Sequence, residues 1–119
     1  MTNPSKAKGT RWENAVAAHL RGAGYAEVYR LAPAGADDCG DLGGIPEVAF
    51  ECRDRQRQEL ARNLDDANDR ARCKGSRWGV AVMKRPQRPT EAAYVLMDLA
   101  TFVDLLGEAL LSSRGSGAR

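Results

Sequence analysis

The sequence predicts a single α/β domain in which a mixed β-sheet is flanked by helices. Three observations support this class. Apolar residues recur at helical spacing in three segments, short apolar runs lie between those segments, and Gly and Pro residues separate them. A chain of 119 residues with 43% hydrophobic content is long enough for one core and too short for two domains. The predicted order of elements is α-β-β-β-α-β-β-α.

The first half of the chain is predicted to hold one helix and three strands. The helix covers residues 10–21, because Trp12, Val16 and Leu20 recur at helical spacing and glycines follow them. On a helical wheel Glu13 lies within roughly 20° of Leu20, so its carboxylate should border the core and needs a partner. The strands are predicted at residues 28–31, in the region of Asp41 and at residues 47–53.

The second half is predicted to hold two helices and two strands. The run from Trp78 to Met83 is apolar almost throughout, which is typical of a strand buried on both faces and paired in parallel with the third strand. A further strand is predicted at residues 94–97. One helix is predicted at residues 58–73, with an apolar stripe of Leu60, Leu64, Ala67 and Ala71, and another at residues 99–111, through Phe102, Leu105, Leu106 and Leu110. Of the second helix, Phe102, Leu106 and Leu110 could be a self-association surface or ordinary core.

Both ends of the chain are polar or rich in Gly and Ser. We predict disordered tails at residues 1–8 and 112–119, which leaves residues 9–111 as the domain. No apolar run approaches the roughly 20 residues of a membrane span and no basic-then-apolar segment opens the chain, so we expect a cytoplasmic protein without a membrane partner. The three cysteines lack the paired spacing of zinc ligands and are expected to be free.

The formal charge of +2 is small, but charge is unevenly distributed along the chain. Residues 26–52 hold six acids and one arginine, whereas residues 53–88 hold eleven Lys or Arg and five acids. An acidic centre followed by a basic flank suits a metal site beside a phosphate-binding surface, although a solvated helix of mixed charge would give the same pattern. The predicted phosphate contacts are Arg55, Arg57, Lys74, Lys84 and Arg85.

Two carboxylates and a cation fall around a predicted hairpin, between Asp41 and the segment Glu51-Cys52-Arg53. The period of two in a strand puts Glu51 and Arg53 on the same face. A Gly-Gly turn after Asp41 would fold its strand back beside the Glu51 strand. Residues that are ten positions apart would therefore become neighbours.

Each of these carboxylates also has a structural interpretation. Asp41 lies in a Gly-rich segment, where Asp is a common turn residue. Glu51 could form a plain ion pair with Arg53, and Glu13 could be an N-terminal helix acid favoured by the helix dipole. Glu51 is the hardest to explain in this way, because a carboxylate in an apolar strand is costly without a partner.

A magnesium ion would suit this set of side chains, because Mg²⁺ prefers oxygen ligands and usually keeps several waters. A bound metal lowers the pKa of its water and offsets charge on a scissile phosphate. Arg53 would contact that water or the phosphate, and Glu13 could hold a second metal or a metal-bound water. The predicted ligands are Asp41, Glu51, the carbonyl of Cys52 and Glu13; the predicted catalytic residues are Glu13, Asp41, Glu51 and Arg53.

Short motifs occur in a fixed order: Gly9-x-x-x-Glu13, Gly40-Asp41 and Glu51-x-Arg53. This order, followed by a helix and an apolar strand, resembles the PD-(D/E)xK nuclease superfamily. The small size and the run from Glu51 to Gln56 are most similar to Holliday junction resolvases, especially short resolvase-like proteins of phages and actinobacteria. The resemblance covers residues 9–106. It implies a restriction-endonuclease-like core, DNA cleavage in recombination or repair that depends on Mg²⁺ with Mn²⁺ as a substitute, and a homodimer presenting two sites to a branched junction.

Arg53 departs from the superfamily pattern, which has lysine at this position. Lysine can orient or help deprotonate the attacking water, whereas arginine stays protonated. Arg53 could still offset charge on the phosphate, and Lys74 or Lys84 could supply an ammonium group, with Lys84 favoured by the predicted strand pairing. The alternatives are a DNA-binding relative of the same fold with weak or no turnover, or another repair or restriction nuclease.

Overall fold

A computed structural model describes residues 4–31 and 40–117, with side chains described as far as residue 112. Within these residues the fold is α/β, with a five-stranded mixed sheet in the order β1-β2-β3-β4-β5. The elements are α1 (Pro4–Gly22), β1 (Tyr29–Arg30), β2 (Leu42–Gly43), β3 (Val48–Arg53), α2 (Leu60–Lys74), β4 (Trp78–Met83), a 3₁₀ turn (Thr90–Ala92), β5 (Tyr94–Leu96) and α3 (Leu99–Gly117).

The predicted order of helices and strands is confirmed, and β4 has the predicted bounds. The helices differ at the chain ends. Helix α1 begins at Pro4, so the predicted tail is corrected for residues 4–8: proline is favoured in a first helical turn, and the Ser, Lys and Ala residues after it are compatible with a helix. Helix α3 likewise continues to Gly117 through the segment predicted as a C-terminal tail, where no proline interrupts it.

The sheet is built from a hairpin and a crossover. β2 turns back on β3 with Leu42 opposite Phe50, as the Gly-Gly turn predicts. Helix α2 then crosses over the sheet and returns the chain as β4, which pairs with β3 in parallel. Gly79 allows α2 to approach β4 closely, because a Cβ at this position would lie 2.3 Å from the carbonyl oxygen of Ala67.

One face of the sheet packs against α1 and holds the hydrophobic core. Val48, Phe50 and Cys52 alternate toward this face, as the strand period predicts. The indole nitrogen of Trp12 donates a hydrogen bond to the carbonyl of Val82, 3.0 Å away, so this buried ring has its polar atom satisfied. The buried core cluster contains Trp12, Val16, Ala17, Val28, Leu42, Phe50, Cys52, Val80 and Val82.

The other face packs against α2. Ala67 and Ala71 are buried there, as predicted, but Leu60 at the start of the helix is 55% exposed. Asn63 is buried instead, and its amide donates to Gln58 Oε1 and to the sulfur of Met83. The apolar stripe of α2 therefore begins one turn later than the sequence pattern predicts.

Helix α3 is not part of the core along most of its length. Phe102, Leu106 and Leu110 are about half exposed, and only Thr101 among the described side chains of α3 is buried. Of the two interpretations of this helix, a core element is therefore wrong for these three residues. No helix in the described part of the chain is both long enough and apolar enough to span a membrane.

The cysteines fall into different environments. Cys52 is buried in the core and free, as predicted. Cys73 is disulfide-bonded, which corrects the expectation that it is free. Cys39 lies outside the described residues.

Candidate functional site

Asp41 lies where the hairpin and the edge strand meet. Its backbone nitrogen donates to the carbonyl of Phe50 at 2.9 Å, and its carbonyl accepts from the nitrogen of Leu31 at 2.8 Å. Its carboxylate accepts a 2.6 Å hydrogen bond from the backbone nitrogen of Cys52. Gly40 precedes it with a φ of 120°, a conformation that favours glycine. The hairpin thus brings Asp41 beside the Glu51 strand, as predicted.

Glu51 is only 2% exposed and faces α2 rather than the apolar core. Its Oε2 lies 2.5 Å from Nη2 of Arg53, and its Oε1 lies 3.2 Å from Nε of Arg70 on α2. The ion pair with Arg53 that the structural interpretation predicted is therefore present. A second guanidinium completes the pairing of this buried carboxylate, which satisfies the requirement for a partner.

Arg53 connects several carboxylates at the end of β3. Besides Glu51, its Nη2 contacts Asp66 at 3.0 Å, and its Nη1 lies 3.9 Å from Asp41 Oδ2. The same Nη1 donates to the carbonyl of Cys52 at 3.3 Å. Asp41 and Glu51 therefore share one guanidinium, each near a different terminal nitrogen.

Glu13 approaches the site from α1. Its carboxylate pairs with Nε of Arg30 at 2.7 Å, so the partner that its place beside the core requires is an arginine of β1. A cavity of about 210 Å³ opens between α1 and the end of β3, and Glu13, Cys52 and Arg53 all contribute to its wall. Gly9 lines the same cavity, one helical turn before Glu13.

A second cavity, of about 220 Å³, lies on the α2 side of Arg53. Arg53 and Arg55 line both cavities, so the two are separated by these side chains. Four arginines give this cavity its basic character. Its lining residues are Arg53, Arg55, Arg57, Glu59, Arg62, Asn63 and Asp66.

Burial, together with nearby carboxylates, changes the pKa of Asp41. Burial, and then the negative charge of Glu51, raise the pKa of Asp41 to about 7, against 3.8 for an ordinary aspartate. The charge of Glu13 acts in the same direction, whereas the hydrogen bond from Cys52 and the charge of Arg53 act against it. Burial and the neighbouring carboxylates therefore outweigh the hydrogen bond from Cys52 and the charge of Arg53 in setting this pKa.

Arg53 and Cys52 respond to the same charges. Burial lowers the pKa of Arg53, but the charge and hydrogen bond of Glu51, with contributions from Asp66 and Asp41, outweigh burial and raise that pKa. Arg53 is thus a fixed cation and cannot act as a base. Burial and the nearby carboxylates raise the pKa of the Cys52 thiol well above its usual range, so this thiol stays protonated.

The donor set fits a hard divalent cation in its chemistry. Asp41 and Glu51 supply carboxylate oxygens, and the Arg53 guanidinium between them offsets part of their charge. Within the described residues, no group of three or more His, Cys, Asp or Glu side chains is arranged to hold a metal. The ion would therefore depend on Asp41 and Glu51, the Cys52 carbonyl and water.

The predicted DNA contacts divide between two ends of the sheet. Arg55 and Arg57 line the basic cavity. Lys84 follows β4 at the same end, with its ammonium 3.9 Å from Asp54. Arg85 lies on the β5 side, where it donates to the carbonyl of Ala92 and stacks over the ring of Tyr94.

Lys74 is not brought to the cavities. Its ammonium lies 3.1 Å from the carbonyl of Val48 and 3.5 Å from those of Leu42 and Ile45. Val48 begins the strand that Arg53 ends, so these two positions are about 17 Å apart at the usual rise of a strand. Lys74 contacts the hairpin turn, so of these two lysines only Lys84 lies at the carboxyl end of β3, where Lys8 of α1 also pairs with Asp54.

Three residues of the site were not predicted from the sequence. Arg30 pairs opposite Leu42, next to Asp41, but its strand is only two residues long and gives little pattern. Asp66 and Arg70 lie four residues apart on α2, a spacing that places them on one helix face. That spacing could have suggested a polar stripe, yet it does not fix which strand the stripe faces.

Together the fold and the site define an α/β protein with a charged cluster at the carboxyl end of the parallel strand β3. Comparison with protein-family models, curated proteins and solved structures gives no match to this chain. A functional interpretation therefore depends on the residues and their geometry.

Proposed function

We propose that this protein is a magnesium-dependent, structure-selective endodeoxyribonuclease that cuts four-way junctions or other branched DNA. The observation that carries the proposal is the convergence of Asp41 and Glu51 on one guanidinium at the end of β3. The superfamily resemblance described above supports it, with a restriction-endonuclease-like core and a homodimer as parts of the proposal. Two cavities that share Arg53 and Arg55 adjoin the carboxylates.

The roles of the residues follow from their contacts. When bound, a magnesium ion supplies an acidic water and offsets charge on the scissile phosphate. Asp41 and Glu51 would hold it, with the Cys52 carbonyl as the third protein ligand. Glu13 keeps Arg30 oriented at the α1 cavity through its 2.7 Å ion pair, and both line that cavity. Arg53 holds a permanent positive charge for the phosphate.

The basic cavity provides the expected path for the DNA backbone. Arg55, Arg57 and Arg62 can contact successive phosphates there, since guanidinium groups match phosphate geometry. Lys84 extends this basic surface beside the end of β3. These contacts carry no sequence information by themselves, so the proposal is one of structure selectivity rather than sequence specificity.

Cleavage of DNA by the purified protein tests the proposal. We expect Mg²⁺-dependent cuts in a four-way junction and fewer in linear duplex or single strand, with no product when a chelator replaces the metal. Asp41→Asn should abolish cleavage, whereas Asp65→Asn, which removes an exposed aspartate of α2, should not. Absence of metal-dependent cleavage of all three substrates at high protein concentration would contradict the proposal.

A second candidate function is a DNA-binding protein with weak or no turnover. The observation that favours it is Arg53, which contacts Glu51, Asp66 and Asp41 and cannot accept a proton. This candidate predicts junction binding with a steep salt dependence and no cleavage on adding metal.

Arg53→Lys distinguishes the two candidates. This substitution places lysine at the position where the superfamily pattern has it. The single ammonium group of lysine cannot make all the contacts that the two terminal guanidinium nitrogens of Arg53 make. Cleavage that appears or increases in this variant would show that the carboxylates bind the metal and that the cation limits turnover. Arg72→Lys, at an exposed arginine of α2 that lines neither cavity, is the matched control and should leave cleavage unchanged. If Asp41→Asn changed neither metal nor DNA binding, the Glu51–Arg53 pair would be purely structural.

A further inference from the structure

Helix α3 carries an apolar stripe that nothing in the described part of the chain covers. Leu99 is 76% exposed and Val103 56%, and the other members are about half exposed. The spacing is i, i+3, i+4, i+7 and i+11, which places these side chains along one side of a helix. The α3 stripe consists of Leu99, Phe102, Val103, Leu106 and Leu110.

The stripe faces away from the body of the protein. Thr101, the buried residue of α3, lies roughly 160° around the helix from the centre of the stripe. Asp98 before the helix pairs with Asn68 of α2, and Glu108 pairs with Arg77 before β4, so the helix is held to the body from its other side. Thr101 and the Arg77–Glu108 pair mark the side of α3 that meets the body, and the stripe lies on the opposite side.

The exposed area is that of a stable interface. Each member of the stripe leaves on the order of 100 Å² in contact with water, so the five expose about 500 Å². A standard interface buries about 800 Å² per partner, and roughly 65% of a homodimer interface is apolar, which gives about 500 Å². A contiguous apolar patch of this size lies toward the upper end of what monomeric proteins expose, and such patches often mark interaction surfaces.

We propose that the α3 stripe is the surface on which a second copy of this chain docks, with α3 packing against α3 about a two-fold axis. In such an isologous contact the same surface meets itself, so it must not oppose like charges. Asp104 and Glu108 lie roughly 120° or more from the centre of the stripe, and a stripe-to-stripe contact keeps the carboxylates of both copies at its rim. The surface is thus complementary to itself without any charged partner.

The edge of the sheet next to α3, formed by β5, is also consistent with a second copy of the chain docking there. β5 is the last strand of the sheet and ends three residues before α3. Its Tyr94 and Val95 are more than half exposed. Proteins normally cover or charge such an edge, and a second copy seated on α3 would lie next to it.

This inference deepens the proposed function, because two catalytic sites in one dimer could act on the two sides of a junction. The association is nevertheless measured without DNA or metal. A monomer that cuts DNA would contradict the proposed dimer and leave the proposed function intact. A dimer that does not cut DNA would contradict the proposed function and leave the dimer intact.

Analytical ultracentrifugation of the full chain over a range of concentrations tests the surface. We expect a dimer for the natural sequence, and dimerisation at least about 100-fold weaker for Leu106→Glu, since each dimer would bury two unpaired carboxylates. Leu110→Glu, nearer the helix end, should weaken dimerisation to the same extent. It provides an independent test of the surface if Leu106→Glu misfolds. Tyr25→Glu, at an equally exposed residue away from α3, should remain dimeric.

Hydrogen exchange of the unmodified protein gives a measurement that needs no variant. Amide protection in residues 99–111 should increase with protein concentration, whereas protection in the body should not. A chain that is monomeric at all concentrations, or stripe variants that dimerise as well as the natural sequence, would overturn the proposal. So would a monomer that binds another protein through this stripe.

Discussion

The two faces of the sheet differ in composition although the same strand supplies both. From β3, Phe50 and Cys52 face α1 and join an apolar core. Glu51 and Arg53 face α2, where they meet Asp66 and Arg70. The alternation of a strand thus delivers apolar side chains to one helix and charged side chains to the other.

This difference suggests that the two faces of the sheet contribute unequally to the stability of the fold. Burial of apolar surface on the α1 face stabilises the fold without any special geometry. A buried ion-pair network stabilises a fold weakly, since desolvation offsets much of the attraction. The apolar groups on the α1 face should therefore contribute more stability than the charged groups on the α2 face, and variants of the two faces can test this.

The largest loss of stability is expected on the α1 face. Phe50→Ala should lower the free energy of unfolding by about 3–5 kcal/mol, because the ring is 8% exposed and its loss leaves a cavity. Urea denaturation followed by circular dichroism measures this change. Leu60→Ala, at a residue 55% exposed, is the control and should change stability by less than about 0.5 kcal/mol. A loss below about 1 kcal/mol for Phe50→Ala would contradict the assignment of this face as the core.

A smaller loss is expected from the α2 face. Glu51→Gln removes the charge that pairs with both Arg53 and Arg70, and should cost about 2 kcal/mol, since Arg53 keeps Asp66 as a partner. The same variant should abolish DNA cleavage. Its control is Glu47→Gln, which changes an exposed acid just before β3. Greater destabilisation than Phe50→Ala, with cleavage intact, would show that the network serves the fold.

The fold was predictable because its signals are local. The apolar run of β4 gave its bounds, and the Gly-Gly turn gave the pairing of β2 with β3. The surroundings of α3 were not predictable, because the stripe has the same periodicity whether it meets the body of the protein or a second copy. The helix ends were missed because polar residues at a chain terminus are compatible with helix and with disorder alike.

Only the part of the site that follows from strand geometry was predictable. The strand period and the turn bring Asp41 and Glu51 together, and both follow from sequence. The partners Arg30 and Arg70 depend on how a short edge strand and a helix register against β3, which no local pattern fixes. The position of Lys74 at the hairpin end of β3 was not predictable for the same reason, because it depends on the length of the crossover.

Asp41→Asn should increase the stability of the protein at neutral to alkaline pH, whereas Phe50→Ala and Glu51→Gln should decrease it. Because the pKa of Asp41 is about 7 in the folded protein and 3.8 in an unperturbed chain, the folded state binds this proton more tightly. Its contribution to stability is therefore complete below about pH 4 and lost as the pH rises through about 7. At about pH 8 without metal, Asn should stabilise the protein by on the order of 1 kcal/mol.

Thermal melts at several pH values check this prediction. The natural protein should lose stability between about pH 4 and about pH 8 relative to Asp41→Asn, and Asp65→Asn should behave like the natural protein. Magnesium should raise the melting temperature of the natural protein at the higher pH and leave that of Asp41→Asn unchanged. Equal pH dependence in all three proteins would show that Asp41 is not held in a crowded, buried site.

The two lysines at opposite ends of the sheet give the smallest expected effects on stability. Lys74→Ala removes a cation that contacts three carbonyls and should cost about 1 kcal/mol with cleavage unchanged. Lys84→Ala should change stability by less than about 0.5 kcal/mol, because its ammonium is partly exposed and its contact with Asp54 is 3.9 Å long. It should nevertheless reduce cleavage and lower the salt dependence of DNA binding, because it removes a phosphate contact beside the end of β3. If Lys74→Ala reduced cleavage more than Lys84→Ala, the DNA path would run along the hairpin turn, and the division of roles between the two ends of β3 would be wrong.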